Sequence, residues 1–208
     1  MAAYLLMLLP TAAGGNRTCA TPMDLMFLID GSLSINDPGL GGGPNTFEET
    51  VLPFVSSVAR SFQLGSNHTH VGVVTFSSEA TVDVRLDRFS DGEGDALTEA
   101  VETILYPRGA TFTGLGLRVV RTELMAPGDG IRPLSAGAPR MLVLITDGRP
   151  SSIIHHPVHG NLDPAPEIAM LKAQNVSIFT VGIGRLTSQA QLNAWSSEPT
   201  AQHVSQRV

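Results

Sequence analysis

Three short apolar runs punctuate the chain, at residues 25–29, 141–146 and 176–183, each aliphatic or β-branched and bounded by polar or turn residues. Their hydrophobicity is continuous rather than alternating, which predicts burial on both faces, the condition of central parallel strands covered by helices. Residues 71–76 and 81–86 alternate more and are separated by only a short polar link, so they predict an antiparallel hairpin at one side of the sheet. Between the strands, Phe47, Val51, Phe54, Val55, Val58 and Phe62 recur at helical spacing and predict a helix with Pro53 inside its early turns. Segments 96–105, 115–124 and 165–173 predict three further amphipathic helices; a short one at 191–195 and a last strand at 203–208 close the pattern.

Strands alternating with helices predict an α/β fold: a doubly wound, mostly parallel sheet with one antiparallel edge strand and helices on both faces. No internal repeat is visible. The glycine-rich stretch 38–44 and the segment 127–139 are expected to be flexible surface connections.

Composition narrows the function classes. At 208 residues, with 42% hydrophobic and only 15% charged positions, the chain is a single domain with a buried core rather than a disordered segment. A net charge of −6 argues against a phosphate-binding surface and so against nucleic acid as a partner. No run approaches the roughly 18 consecutive apolar residues that span a bilayer. The single cysteine, Cys19, excludes an internal disulfide, a four-thiolate zinc site and a Cys-x-x-Cys pair. It leaves open a free thiol or a bond to a segment outside this chain.

Residues 1–15 are uncharged, strongly apolar in their first half and small at 12–15, the outline of a signal peptide without its basic start. The segment 1–22 is therefore expected to be signal-like or flexible, with the domain at 23–208 and the protein secreted or at the cell surface. The sequons at Asn16, Asn67 and Asn175 agree with passage through a glycosylating compartment.

In an open parallel sheet ligands bind at the carboxyl ends of the strands. The first buried run leads straight into Asp30-Gly31-Ser32-Leu33-Ser34, and the run at 141–146 leads into Asp147-Gly148. A third polar loop, Gly109-Ala110-Thr111-Phe112-Thr113-Gly114, lies just before a predicted helix. Two carboxylates and several hydroxyls at one end of the sheet suit a hard divalent cation, Mg²⁺ or Mn²⁺, and leave it short of anionic ligands.

The Asp30-x-Ser32-x-Ser34 loop resembles the metal-ion-dependent adhesion site of von Willebrand factor A domains, with Thr111 at the family's metal-site threonine and Asp147 at its distal aspartate. The resemblance runs from about residue 23 to the chain end, and the opening around Cys19 and Asp24 is similar to adhesive extracellular members such as matrilins, collagen-associated A domains and apicomplexan surface adhesins. It implies Ser32, Ser34 and Thr111 oxygens at or near the ion, Asp30 and Asp147 acting directly or through water, and a protein ligand that offers a carboxylate. Leu33 stands where a glycine is common, and an insertion at 36–45 lies beside the site. The chain stops just after the last expected strand, so the family's final helix is expected to lie outside it, together with any partner for Cys19.

His155, His156 and His159 could form a metal cluster, but with no cysteine or acid at ligand spacing a solvated loop is the expectation. His68 and His70 are read as surface or edge residues, and Asp83, Asp87, Asp91 and Glu93 as a solvated face. The function expected is a metal-dependent adhesion or extracellular protein-binding module, not an enzyme. The alternatives are a metal-assisted hydrolase using Asp30 or Asp147, or a scaffold with a vestigial metal site. The hydrolase is disfavoured because position 32 is serine rather than a second carboxylate, and no nucleophile elbow or phosphate loop is present.

Overall fold

The computed structural model describes residues 19–40, 42–147, 150–152, 154–184 and 187–207. In chain order the elements are β1 (Met23–Asp30), β2 (Thr69–Phe76), β3 (Ala80–Val84), β4 (Arg140–Thr146), the short β5 (His155–His156) and β6 (Gly160–Asn161), β7 (Val176–Ile183) and β8 (Val204–Arg207). The helices are α1 (Leu52–Ala59), α2 (Gly94–Glu102), α3 (Thr113–Val119), α4 (Pro164–Ala173), α5 (Gln189–Trp195) and α6 (Thr200–His203). Six strands form one sheet in the order β3-β2-β1-β4-β7-β8, and β5 pairs with β6 in a separate ladder. All pairings in the large sheet are parallel except β2 with β3, so the antiparallel strand lies at one edge.

The continuous apolar runs are explained by the two cores. Leu25, Phe27 and Ile29 of β1 face a cluster closed by Phe47, Val51, Val55, Leu97 and Val101, while Met26 and Leu28 face a second closed by Leu117, Val120, Ile168, Leu171 and Trp195. Every residue of β1 is buried, as alternation of side chains between two covered faces requires. With β1 flanked by β2 and β4, its carboxyl end opens at the centre of the sheet.

Several features differ from the pattern in the sequence. The helix expected from Phe47 begins as a π-helical turn, Phe47–Val51, in which the Leu52 N–H donates to the Phe47 carbonyl. Pro53, which has no N–H and crowds the carbonyl four residues before it, is relieved by this wider turn. A second π turn, Val120–Leu124, continues α3.

The segment 127–139, expected to be a flexible connection, is pinned to the amino end of the sheet by Arg132. Its guanidinium donates to Asp24 Oδ1 at 2.7 Å and to the carbonyls of Met23, Ser66 and His68, and its N–H donates to Asp24 Oδ2 at 3.0 Å. Asp24 is fully buried, so a charge in β1 that the apolar run concealed requires this partner. His70, expected as a surface or edge residue, is half-buried, with Nδ1 2.8 Å from the Gly130 carbonyl.

The segment 155–161, expected as a solvated loop, is ordered into the β5–β6 ladder. The His156 ring lies 5.5 Å from that of Phe112 and 4.8 Å from that of His159. Arg118 of α3 donates to the carbonyls of His159 and Asn161, and Glu167 of α4 holds Arg118 and Arg121.

Candidate metal centre

Where β1 ends the chain turns sharply, and the Asp30 side chain makes the turn. Asp30 Oδ1 accepts the Ser32 N–H at 2.9 Å and Oδ2 accepts the Thr146 hydroxyl at 2.7 Å, so both oxygens of this buried carboxyl group are fixed. Gly31 continues the sheet by donating its N–H to the Phe76 carbonyl at 2.8 Å. A short 3-10 turn, Leu33–Asn36, then brings the Ser32 and Ser34 hydroxyl oxygens to 3.1 Å from each other. Ser32 is buried and Ser34 half-buried, while the intervening Leu33 points outward, 58% exposed.

The second loop is bolted beside the first. Leu33 donates its N–H to the Gly109 carbonyl at 3.0 Å, Ala110 to Ser78 Oγ at 2.9 Å and Phe112 to the Ser77 carbonyl at 3.0 Å. These bonds leave Thr111, itself buried, between two anchored neighbours at the mouth of α3, and its carbonyl accepts the Ser151 N–H at 2.9 Å. Two glycines permit the contact. A Cβ on Gly31 would lie 2.4 Å from Pro107 Cγ, and Gly109 has φ +122°, a conformation that side chains disfavour.

Asp147 follows β4 directly and is buried, close enough for its charge to act on Asp30. Burial pushes the Asp30 carboxyl up, the Asp147 carboxylate pushes it further, and hydrogen bonds from Ser32 and Thr146 pull the other way; the balance is about 7. Two buried carboxylates that repel one another, with three hydroxyl oxygens among neighbouring loops, form a hard oxygen set that a divalent cation fits. Among the described residues no group of three or more His, Cys, Asp or Glu side chains is gathered as a ligand set, so a site here has to draw on hydroxyls.

Of the other residues singled out in the sequence, Asn67 and Asn175 are exposed, and Cys19 is half-buried with Sγ 3.5 Å from Thr21 Oγ1. Asn16 and Gly148 lie outside the described residues. Thr146, Tyr106 and Pro107 also border the site, outside the motif residues. Thr146 could have been flagged as a hydroxyl next to Asp147; Tyr106 and Pro107 carry no local signal beyond a turn before Gly109.

The von Willebrand factor type A domain model matches residues 24–207. The chain is 31% identical over 194 residues to von Willebrand factor A domain-containing protein 2 of Xenopus laevis, covering 93% of this chain and 21% of that protein. It is 31% identical over 192 residues to matrilin-4 of Mus musculus, covering 92% of this chain and 27% of the relative. The chain thus spans about a quarter of the length of these relatives. Among solved structures, proximal thread matrix protein 1 from the mussel byssus superposes with a TM-score of 0.74 at 24% identity, over 91% of this chain and 42% of that one. A form of that mussel protein with a zinc occupied MIDAS motif superposes at 0.71, with the same identity and coverage.

Proposed function

The chain belongs to the von Willebrand factor type A domain family, and on that premise we propose that it is a divalent-cation-dependent protein-binding module, acting in adhesion or matrix contact outside the cell. The ligands we assign to the ion, Mg²⁺ or Mn²⁺, are Asp30, Ser32, Ser34, Thr111 and Asp147. The observation that carries the proposal is the pair of buried carboxylates at the carboxyl end of the sheet, where burial first and the Asp147 charge second raise Asp30 to about 7, with the Ser32, Ser34 and Thr111 hydroxyls on the adjoining loops. Bound there, the ion supplies an electrophilic position that accepts a carboxylate from a partner. The zinc occupied MIDAS motif of the mussel thread matrix protein supports the assignment, and the matrilin relative supports a matrix setting.

The surroundings favour a protein partner over a small anion. Six large hydrophobic residues are exposed among the described residues, and four of them, Leu33, Leu105, Ile154 and Val158, lie on the loops that carry or flank the site. Exposed apolar side chains on loops beside a polar centre offer a protein partner contacts that a small anion does not use. The exposed sequons at Asn67 and Asn175 fit a secreted glycoprotein. No residue is assigned a catalytic role.

Calorimetric titration of Mg²⁺ into the wild type and Asp30→Ala tests the ion site: heat of binding is expected only from the wild type. Partner capture in Mg²⁺ and in chelator tests the bridge, followed by replacement of acidic residues on the partner found. Capture that persists undiminished in chelator contradicts the proposal.

A further inference from the structure

Tyr106 is assigned no bond to an ion, yet it touches the turn that carries Ser32 and Ser34. Its hydroxyl donates to the Ser32 carbonyl at 2.5 Å, and the Asn36 N–H is directed at the phenol oxygen itself. One phenol therefore closes both ends of the turn that carries Ser34 at its middle. Inside that turn the Ile35 N–H also reaches the Ser32 carbonyl, at 3.2 Å, and the Ser32 N–H is held by Asp30. With its N–H on Asp30 and its carbonyl on Tyr106, the Ser32 backbone is fixed at both of its polar groups, which sets where its Cβ points.

The phenol ring has two contacts of its own. Its ring stacks on Phe47 at 4.9 Å between centroids, and the Arg108 guanidinium lies 5.5 Å from its centre. The next residue, Pro107, packs on Gly31, and two residues later the Gly109 carbonyl takes the Leu33 N–H. The stretch from Tyr106 to Gly109 is thus attached to the first loop by a hydroxyl, a ring and a carbonyl, and it leads directly into Thr111.

We infer that Tyr106 is a positioning residue that sets the divalent-cation affinity of this centre by clamping the Ser32–Asn36 turn and locking it in register with the Thr111 loop. The inference rests on the metal-site reading above. Outer-shell hydrogen bonds of this kind typically change metal affinity by about 10-fold or more when removed. Tyr106→Phe deletes the hydroxyl and keeps the stacked ring, so the fold's apolar contacts remain.

The test is Mn²⁺ binding by electron paramagnetic resonance on the full chain, comparing wild type, Tyr106→Phe and Ser56→Ala. Ser56 is buried in α1 and bonds Glu102 at 2.8 Å, away from the metal loops, so its loss controls for a structural hydroxyl. The expected result is an affinity for Mn²⁺ weakened on the order of 10-fold in Tyr106→Phe, with a broadened bound-Mn²⁺ spectrum, and wild-type affinity and spectrum in Ser56→Ala. Equal affinity and spectrum in wild type and Tyr106→Phe, or equal weakening in the Ser56 control, overturns the positioning role and leaves the metal site standing. A wild type that binds no Mn²⁺ overturns both.

Discussion

Replacing Asp30 by asparagine separates the electrostatic cost of the site from its use. Without a cation, the Asp30 carboxyl titrates at about 7 in the folded chain and near 3.8 in the unfolded one. Between these values the folded state holds a proton that the unfolded state has released, so stability in chelator falls as pH rises from about 4 to about 7 and then levels off. A difference of about 3 units, at about 1.4 kcal/mol each, puts the cost of ionising Asp30 at no more than about 4 kcal/mol. Asp30→Asn removes that cost. Its Oδ1 still accepts the Ser32 N–H, and its Nδ2 faces the Thr146 oxygen, which can accept instead of donate.

In chelator above about pH 8, Asp30→Asn is therefore expected to be the more stable chain, and near pH 4 the two should converge. In Mg²⁺ that gap narrows. The wild type gains about 2.7 kcal/mol at one hundred times its dissociation constant, and the variant gains little. Urea denaturation followed by the fluorescence of Trp195, the single and buried tryptophan, reads both series. If the wild type in chelator shows no fall in stability across this pH window, or if Asp30→Asn keeps the full Mg²⁺ gain, the reasoning is wrong.

Gly31→Ala forces a Cβ to within 2.4 Å of Pro107 Cγ; a loss of about 1–3 kcal/mol by urea denaturation is expected, together with weaker Mg²⁺ binding by calorimetry. Arg132→Met leaves the buried Asp24 carboxylate without its guanidinium and should cost about 3–5 kcal/mol, with part of the loss recovered in the Asp24→Asn, Arg132→Met double variant. Leu33→Ser should leave the Mg²⁺ titration unchanged while weakening Mg²⁺-dependent capture of the partner, because Leu33 is exposed between two assigned ligands whose oxygens it does not contribute.

The strands were legible because burial on both faces leaves an unbroken apolar run, and β7 matches the run at 176–183 residue for residue. Asp30 and Asp147 were legible for a related reason: each is the first strongly polar side chain after such a run, at the end where parallel strands open. Interactions spanning long sequence separations were not. Arg132 and Asp24 are 108 positions apart, and Tyr106 and Ser32 are 74 apart. Neither pair has a periodic signature, because each bond exists only once the sheet brings distant loops together. Residues 155–161 read as loop for the same reason, since their order comes from Phe112, Arg118 and Glu167 rather than from their own propensities. The π turns escaped notice because the apolar spacing that marks a helix does not distinguish one hydrogen-bond register from the next.

The central claim is that one divalent cation sits among Asp30, Ser32, Ser34, Thr111 and Asp147. The most direct measurement is an anomalous difference map from crystals of this chain grown with Mn²⁺. A single strong peak is expected within bonding distance of oxygens from these five residues, directly or through water. A map with no peak there, or with its peak at His156 and His159 instead, contradicts it.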